Sequence, residues 1–168
     1  KPNRLDLFQI WINLPAKNKM TEPGYEMIWA HEVPHIQLEG GDVRVISGSW
    51  NEHVAPSAPG ASWANDPENE VALYILTIKA GSSVELPIAS SKANRMMYHI
   101  DGGSAFVESS ELKPKYGMEL RADASTTVQA GESDVRVLIL QGRPIAEPVA
   151  QHGPFVMNTR AEIHQAFD

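Results

Sequence analysis

Between Val135 and Thr159 the chain runs VRVLILQGRPIAEPVAQHGPFVMNT. Val135, Val137 and Ile139 alternate with Arg136, Leu138 and Leu140, the pattern of a strand with one strongly apolar face and one mixed face. Gly142 and Pro144 end it. The rest of the stretch carries Pro148, Gly153 and Pro154, which exclude a regular strand or helix interior. It is nonetheless apolar at Ile145, Val149, Phe155, Val156 and Met157. Irregular chain with that much apolar surface has to be pinned over a core or against another domain. The upstream residues therefore read as a barrel that this segment closes.

Leu7 to Asn13 (LFQIWIN) reads as a strand with Phe8, Ile10 and Ile12 on one face. A strand this apolar needs pairing partners, and none lies N-terminal to it in this sequence. Leu14 to Tyr25 (LPAKNKMTEPGY), marked by Pro15, Pro23 and Gly24, reads as a linker between two packed units. Short strands are predicted over Glu26 to Trp29, His35 to Leu38 and Val43 to Ile46, the last after the turn Gly40-Gly41-Asp42. Ser47 to Asn69 is long and irregular, with Pro56, Pro59, Gly60 and Pro67; loops of that length are usually functional, mobile or interface-forming.

From Glu70 the pattern tightens. Strands are predicted over Val71 to Ala80, Ser83 to Pro87, Arg95 to Ile100, Ser104 to Glu108, Gly117 to Arg121, Thr126 to Gln129 and Val135 to Leu140. Turn signals separate them at Ala80-Gly81, Asp101-Gly102-Gly103, Lys113-Pro114 and Ala130-Gly131-Glu132. Many short strands at this spacing make a β-sandwich or a small barrel. The one predicted helix is last. Thr159 and Glu162 form a capping box, Ile163 and Phe167 share a face, and the sequence reaches Asp168 before the helical pattern is finished.

The 168 residues are 42% hydrophobic, enough for one well-filled domain. A net charge of -7 without a Lys/Arg cluster repels phosphate backbones, so no direct nucleic-acid partner is expected. No apolar run reaches membrane-spanning length, so no membrane partner is expected either. The absence of cysteine excludes disulfides, thiolate metal sites and Cys nucleophiles, and is compatible with the cytoplasm as the expected location.

His31 to His35 (HEVPH) fits the H-E-x-x-H zinc pattern, which needs both histidines on one helical face. Pro34 disrupts that helix, so the two read as polar residues at a strand entry. His99 alternates with Met97 in MMYHI and reads as packed rather than ligating; His53, His152 and His164 lie in a loop, before Gly153 and on the helix. Glu108 with Glu111, and Glu132 with Asp134, flank turns and read as solvated surface. Gly40-Gly41 and Gly102-Gly103 read as hairpin turns rather than phosphate cradles, since no helix follows them. No Ser-His-Asp arrangement can be picked out.

FQIWINLPAKNKMTEPGY (Phe8 to Tyr25) resembles the segment that joins the two halves of pirin-family proteins. QGRPIAEPVAQHGPFVMNTRAEIHQAF (Gln141 to Phe167) resembles the end of their C-terminal half. The resemblance implies an all-β cupin fold, a jelly-roll β-barrel with a C-terminal helix. Residues 1–25 would be the last strand of an N-terminal cupin plus the interdomain linker, and residues 26–168 the C-terminal cupin with its closing segment. Pirins pair two such barrels, and the N-terminal one holds one Fe(II) through three histidines and a glutamate. Those ligands would lie upstream of Phe8, so this chain resembles a pirin without most of its first barrel, and no cofactor is expected in it.

Laid over the cupin ligand pattern, Gly81 is the matching turn. The His-x-His positions fall on Pro87 and Ala89, the acidic position near Asn94 or Arg95, and the later His on Asp134. A non-haem iron site needs about three protein ligands, so neither catalytic nor metal-binding residues are expected here. The resemblance leaves two functions open. In one, the parent is an iron-dependent dioxygenase of the quercetin 2,3-dioxygenase type and this half is structural. In the other, it is a protein-interaction module, a transcriptional co-regulator without turnover. The expected partners are the N-terminal pirin half and possible protein partners. The expected interdomain interface centres on Trp11, Leu14, Phe155 and Met157, where apolar residues lie beside an uncovered strand edge.

Overall fold

The computed structural model describes residue 5 and residues 7–167. In chain order its strands are β1 (His35–Leu38), β2 (Gly41–Ser47), β3 (Ser49–Trp50), β4 (His53–Val54), β5 (Ala72–Ile78), β6 (Ser83–Leu86) and β7 (Asn94–Gly102). Then follow β8 (Ala105–Val107), β9 (Ser110–Leu112), β10 (Gly117–Arg121), β11 (Thr126–Ala130), β12 (Val135–Gly142), β13 (Ala150–His152) and β14 (Phe155–Met157), and the helix α1 (Arg160–Gln165) closes the chain. Two sheets form the body, a six-stranded one ordered β1-β2-β5-β12-β7-β10 and a four-stranded one ordered β6-β11-β8-β9. Their strands pair antiparallel throughout. The result is a jelly roll of two facing layers.

The core lies between the layers because the side chains alternate. β5 buries every second residue, and Tyr74, Leu76 and Ile78 point inward. Val43 and Val45 come from β2, Val84 and Leu86 from β6, and Val128 and Ala130 from β11. β12 is the central strand: it pairs with β5 on one side and β7 on the other, and Val135, Val137 and Ile139 are fully buried. Gly102 ends β7 at φ 90, a backbone state that a side chain disfavours, next to the register shift that β12 shows against β7 between Arg136 and Val137.

Several sequence expectations are corrected. Leu7 to Asn13 and Glu26 to Trp29 have no strand pairing, because a strand exists only where a neighbour supplies the ladder and none does so here. The linker that follows the first of these segments is nonetheless held. The Ala16 N–H donates to Glu147 Oε2 at 2.6 Å, Asn158 Nδ2 donates to the same oxygen at 2.9 Å, and Lys19 Nζ reaches the Val156 carbonyl at 2.8 Å. The linker is thereby latched to the closing segment. That segment itself contains the hairpin β13–β14 around Gly153, where proline and glycine had argued against any strand; both prolines fall outside the three-residue strands. The long loop likewise contains the β3–β4 hairpin and two short 3-10 turns.

Helix α1 has the expected capping box, with the Glu162 N–H donating to Thr159 Oγ1 at 3.2 Å and the Thr159 N–H donating to Glu162 Oε2 at 2.7 Å. Ile163 is buried, while the exposed Phe167 meets Phe155 edge-on at 4.9 Å. The Thr159 hydrogen bonds hold the Glu162 carboxyl below its ordinary value of 4.5, so this contribution is present above that value and is lost as pH falls through the folded pKa. Thr159→Ala should cost about 0.5–2 kcal/mol, measured as a lower urea midpoint at neutral pH, and the gap to wild type should close in acid. Equal midpoints at neutral pH would show that the helix end does not contribute to global stability.

Candidate functional site

One end of the jelly roll interior is polar. β7 alternates Arg95 and Met97 toward the core, and both are buried. Arg95 is only 1% exposed. Its guanidinium donates from Nε at 2.9 Å and from Nη2 at 2.5 Å to Gln141 Oε1, and from Nη2 at 2.6 Å to the Pro87 carbonyl. Both acceptors are neutral, and Nη1 is buried with no hydrogen-bond partner among the described residues. Burial pushes the Arg95 pKa down from 12.5, but a guanidinium remains charged near neutrality. Tyr74 lies close, donating to the Ser49 carbonyl and meeting Trp50 edge-on at 5.2 Å. Burial raises its pKa to about 12, so it is a neutral phenol.

Glu70 is the second centre. It follows the turn Pro67–Asn69 in the left-handed conformation, at φ 50, which costs energy for a residue with a side chain. Its carboxylate accepts the Ser90 N–H at 2.8 Å, the Ser90 hydroxyl, and Arg143 Nε at 2.6 Å. Its carbonyl accepts Gln141 Nε2 at 3.1 Å. Burial raises the Glu70 pKa, and the Ser90 and Arg143 hydrogen bonds outweigh burial and hold it below 4.5. The Arg143 N–H donates to the Asn69 carbonyl at 2.7 Å, Asn69 Nδ2 to the Trp63 carbonyl at 2.8 Å, and Trp63 Nε1 to the Arg143 carbonyl at 3.0 Å. The long loop, the connection after β6 and the end of β12 thus meet in one network. Beside it opens a cavity of about 730 Å³, with Glu70, Tyr74, Pro87, Ala89 and Gln141 in its wall.

The sequence-derived positions separate in space. Pro87 and Ala89 do line the cavity. Asp134 turns away from it, accepting Lys79 Nζ at 3.0 Å and the Ala80 N–H at 2.9 Å. His31 sits in a turn and His35 on β1, where its ring nitrogen meets Asp42 Oδ1 at 2.8 Å, so the two do not share a helical face. His99 Nε2 is 2.8 Å from the Gly103 carbonyl. Glu111 accepts Ser104 Oγ at 2.6 Å. Among the described residues no three His, Asp or Glu side chains gather for a metal.

Trp11 is 58% exposed and lines a groove of about 360 Å³ with Leu73, Met96 and Leu140 of the larger sheet's outer face. Leu14, Phe155 and Met157 are half-buried, and Phe155 packs on Phe167. Sequence reasoning passed over Arg95, Glu70 and Gln141 as a group. The available signal was Arg95 itself, a charge on the core-facing side of an apolar strand.

A jelly roll of two facing sheets with a cavity at one end of its core is a cupin architecture. The family model of the pirin C-terminal cupin domain matches residues 73–168, and the chain belongs to the pirin family. A pirin-like protein of Caulobacter vibrioides is 38% identical over 98% of this chain and 57% of its own length. A Pseudomonas aeruginosa protein provisionally named a quercetin 2,3-dioxygenase is 36% identical over 95% of this chain and 55% of its own. The crystal structure of a quercetin 2,3-dioxygenase from Acinetobacter baumannii superposes with a TM-score of 0.78 and 28% identity, covering 92% of this chain and 51% of that one. The chain thus spans about half the length of these relatives. No helix among the described residues is long and apolar enough to cross a membrane.

Arg143→Met should lower stability by about 1.5–3 kcal/mol, because it leaves a partly buried carboxylate without its charged donor. Since the folded Glu70 pKa is depressed, its contribution is complete above 4.5 and is lost as pH falls through the folded value. Glu70→Gln should therefore flatten that acid limb in urea melts. A Glu70→Gln limb identical to wild type would show that the carboxylate charge does not hold the loop.

Proposed function

We propose that this chain is the structural C-terminal half of an iron-dependent dioxygenase of the quercetin 2,3-dioxygenase type, with the iron held in an N-terminal barrel. The observation that carries this reading is Arg95. At the place where the cupin ligand pattern puts an acidic metal ligand, this interior holds a buried cation. A fixed guanidinium repels a divalent ion, and the neighbouring Pro87 and Ala89 side chains carry no donor. The donor set does not fit iron, so no step of the chemistry runs through this half.

Its role is then to support the other barrel. The outer face of the larger sheet bears Leu73, Ile75, Met96, Leu138 and Leu140, and Leu138 is already 7% exposed between Ile75 and Tyr98. Trp11 lies along this face and stays exposed. An apolar sheet face of this kind calls for a cover. The N-terminal half is the proposed cover, with Trp11 and Leu14 at one part of the contact and Phe155 and Met157 at another.

Expressed separately and mixed with ferrous iron, the two halves should consume quercetin only together. Elemental analysis of the dialysed chain should give far less than one iron, nickel or zinc per molecule. Trp11→Ala should weaken reassociation of the halves by about tenfold or more, the scale of an aromatic anchor. Turnover by this chain alone would overturn the assignment of the chemistry to the other half. Capture of a protein partner by the intact protein without flavonol turnover would favour the co-regulator reading instead.

A further inference from the structure

We propose that the polar end of the jelly roll binds a small organic monocarboxylate, whose carboxylate takes the place of the Gln141 amide oxygen on the Arg95 guanidinium. A buried charge is normally paired with an opposite charge, because neutral acceptors recover only part of the lost hydration. Arg95 is 1% exposed, its two acceptors are a side-chain amide and a backbone carbonyl, and Nη1 is unpartnered among the described residues. The nearby Tyr74 is a neutral phenol and balances nothing. The guanidinium fork of Nε and Nη2 converges on a single oxygen, Gln141 Oε1, where a carboxylate would bring two. The bonds to Gln141 are charge-assisted by the guanidinium alone; a carboxylate adds the opposite charge and a two-oxygen match to the fork.

The placement makes the exchange possible. Gln141 is half-buried and lines the 730 Å³ cavity, so the group that occupies Arg95 is itself part of the cavity wall. A space of that size suits a small organic ligand. Val54, Val71 and Ile88 line the same cavity and suit an apolar body behind the acid group. The charges at the mouth limit the ligand to one negative charge. Glu70 is already matched by Arg143, whereas the exposed Asp66 carboxylate would repel a second acid group. Gln141 is thus a neutral placeholder, released from Arg95 on binding.

The test uses the whole chain in thermal melts at neutral pH and constant ionic strength. Sodium formate, acetate and benzoate are compared with sodium chloride and with benzamide, the neutral isostere of benzoate. At least one carboxylate should raise the melting temperature in a saturable way, and chloride and benzamide should not. Gln141→Glu supplies the carboxylate from the protein and should shift the response to at least tenfold higher concentration. Gln141→Ala clears the placeholder and should shift it about tenfold lower. Arg95→Met should abolish it; should that variant fail to fold, the opposed Gln141 variants still decide. No response to any of the three carboxylates would overturn the proposal. So would equal responses to benzoate and benzamide, or an unchanged response in Gln141→Glu.

Discussion

The Arg95 guanidinium sits in the protein interior without a counter-charge among the described residues, and the shape of that end of the molecule follows from satisfying it. Its acceptors come from two directions: Gln141 at the end of β12 and the Pro87 carbonyl just after β6. One strand belongs to the six-stranded sheet and the other to the four-stranded sheet, so a single side chain on β7 ties the two layers together. An apolar residue of similar volume could fill the space but could not dictate where Gln141 and the Pro87 carbonyl must lie. Buried polar groups are costly unless fully bonded, which gives this cluster its specificity.

Glu70 carries the tie outward. Its left-handed backbone turns the chain from the long loop into β5, and its carboxylate collects Ser90 and Arg143. Gln141 is common to both centres, accepting from Arg95 and donating to the Glu70 carbonyl. A displacement of Gln141 is therefore felt by the interior cation and by the loop at the cavity mouth. This coupling is local and runs through hydrogen bonds.

The outside of the larger sheet poses the complementary problem. Leu73, Ile75, Met96 and Leu140 lie half-buried on it, and the segment carrying Trp11 runs along them with Trp11 itself exposed. Lys19 and Glu147 latch the linker after that segment to the closing stretch through one half-buried and one exposed hydrogen bond, and burial lowers the Lys19 pKa. The relatives this chain matches are about twice its length.

Local pattern alone determined most of the jelly roll. The period-two alternation in β5, β7 and β12 and the glycine turns between strands are short-range signals, and they place β1 and β10 at their observed ends. The capping box at Thr159 is equally local. Tertiary structure decided the rest. Leu7 to Asn13 has strand composition but no ladder, since pairing requires a neighbour that composition cannot supply. Ala150–His152 and Phe155–Met157 form a hairpin amid proline and glycine because pairing needs only three residues free of them on each side. The polar end joins Glu70, Pro87, Arg95, Gln141 and Arg143, which lie up to a half-chain apart and carry no common spacing. Arg95 on an apolar strand announced that a buried charge needed partners; only the packing of two sheets determined which ones, because hydrogen bonds depend on distance in space and not along the chain.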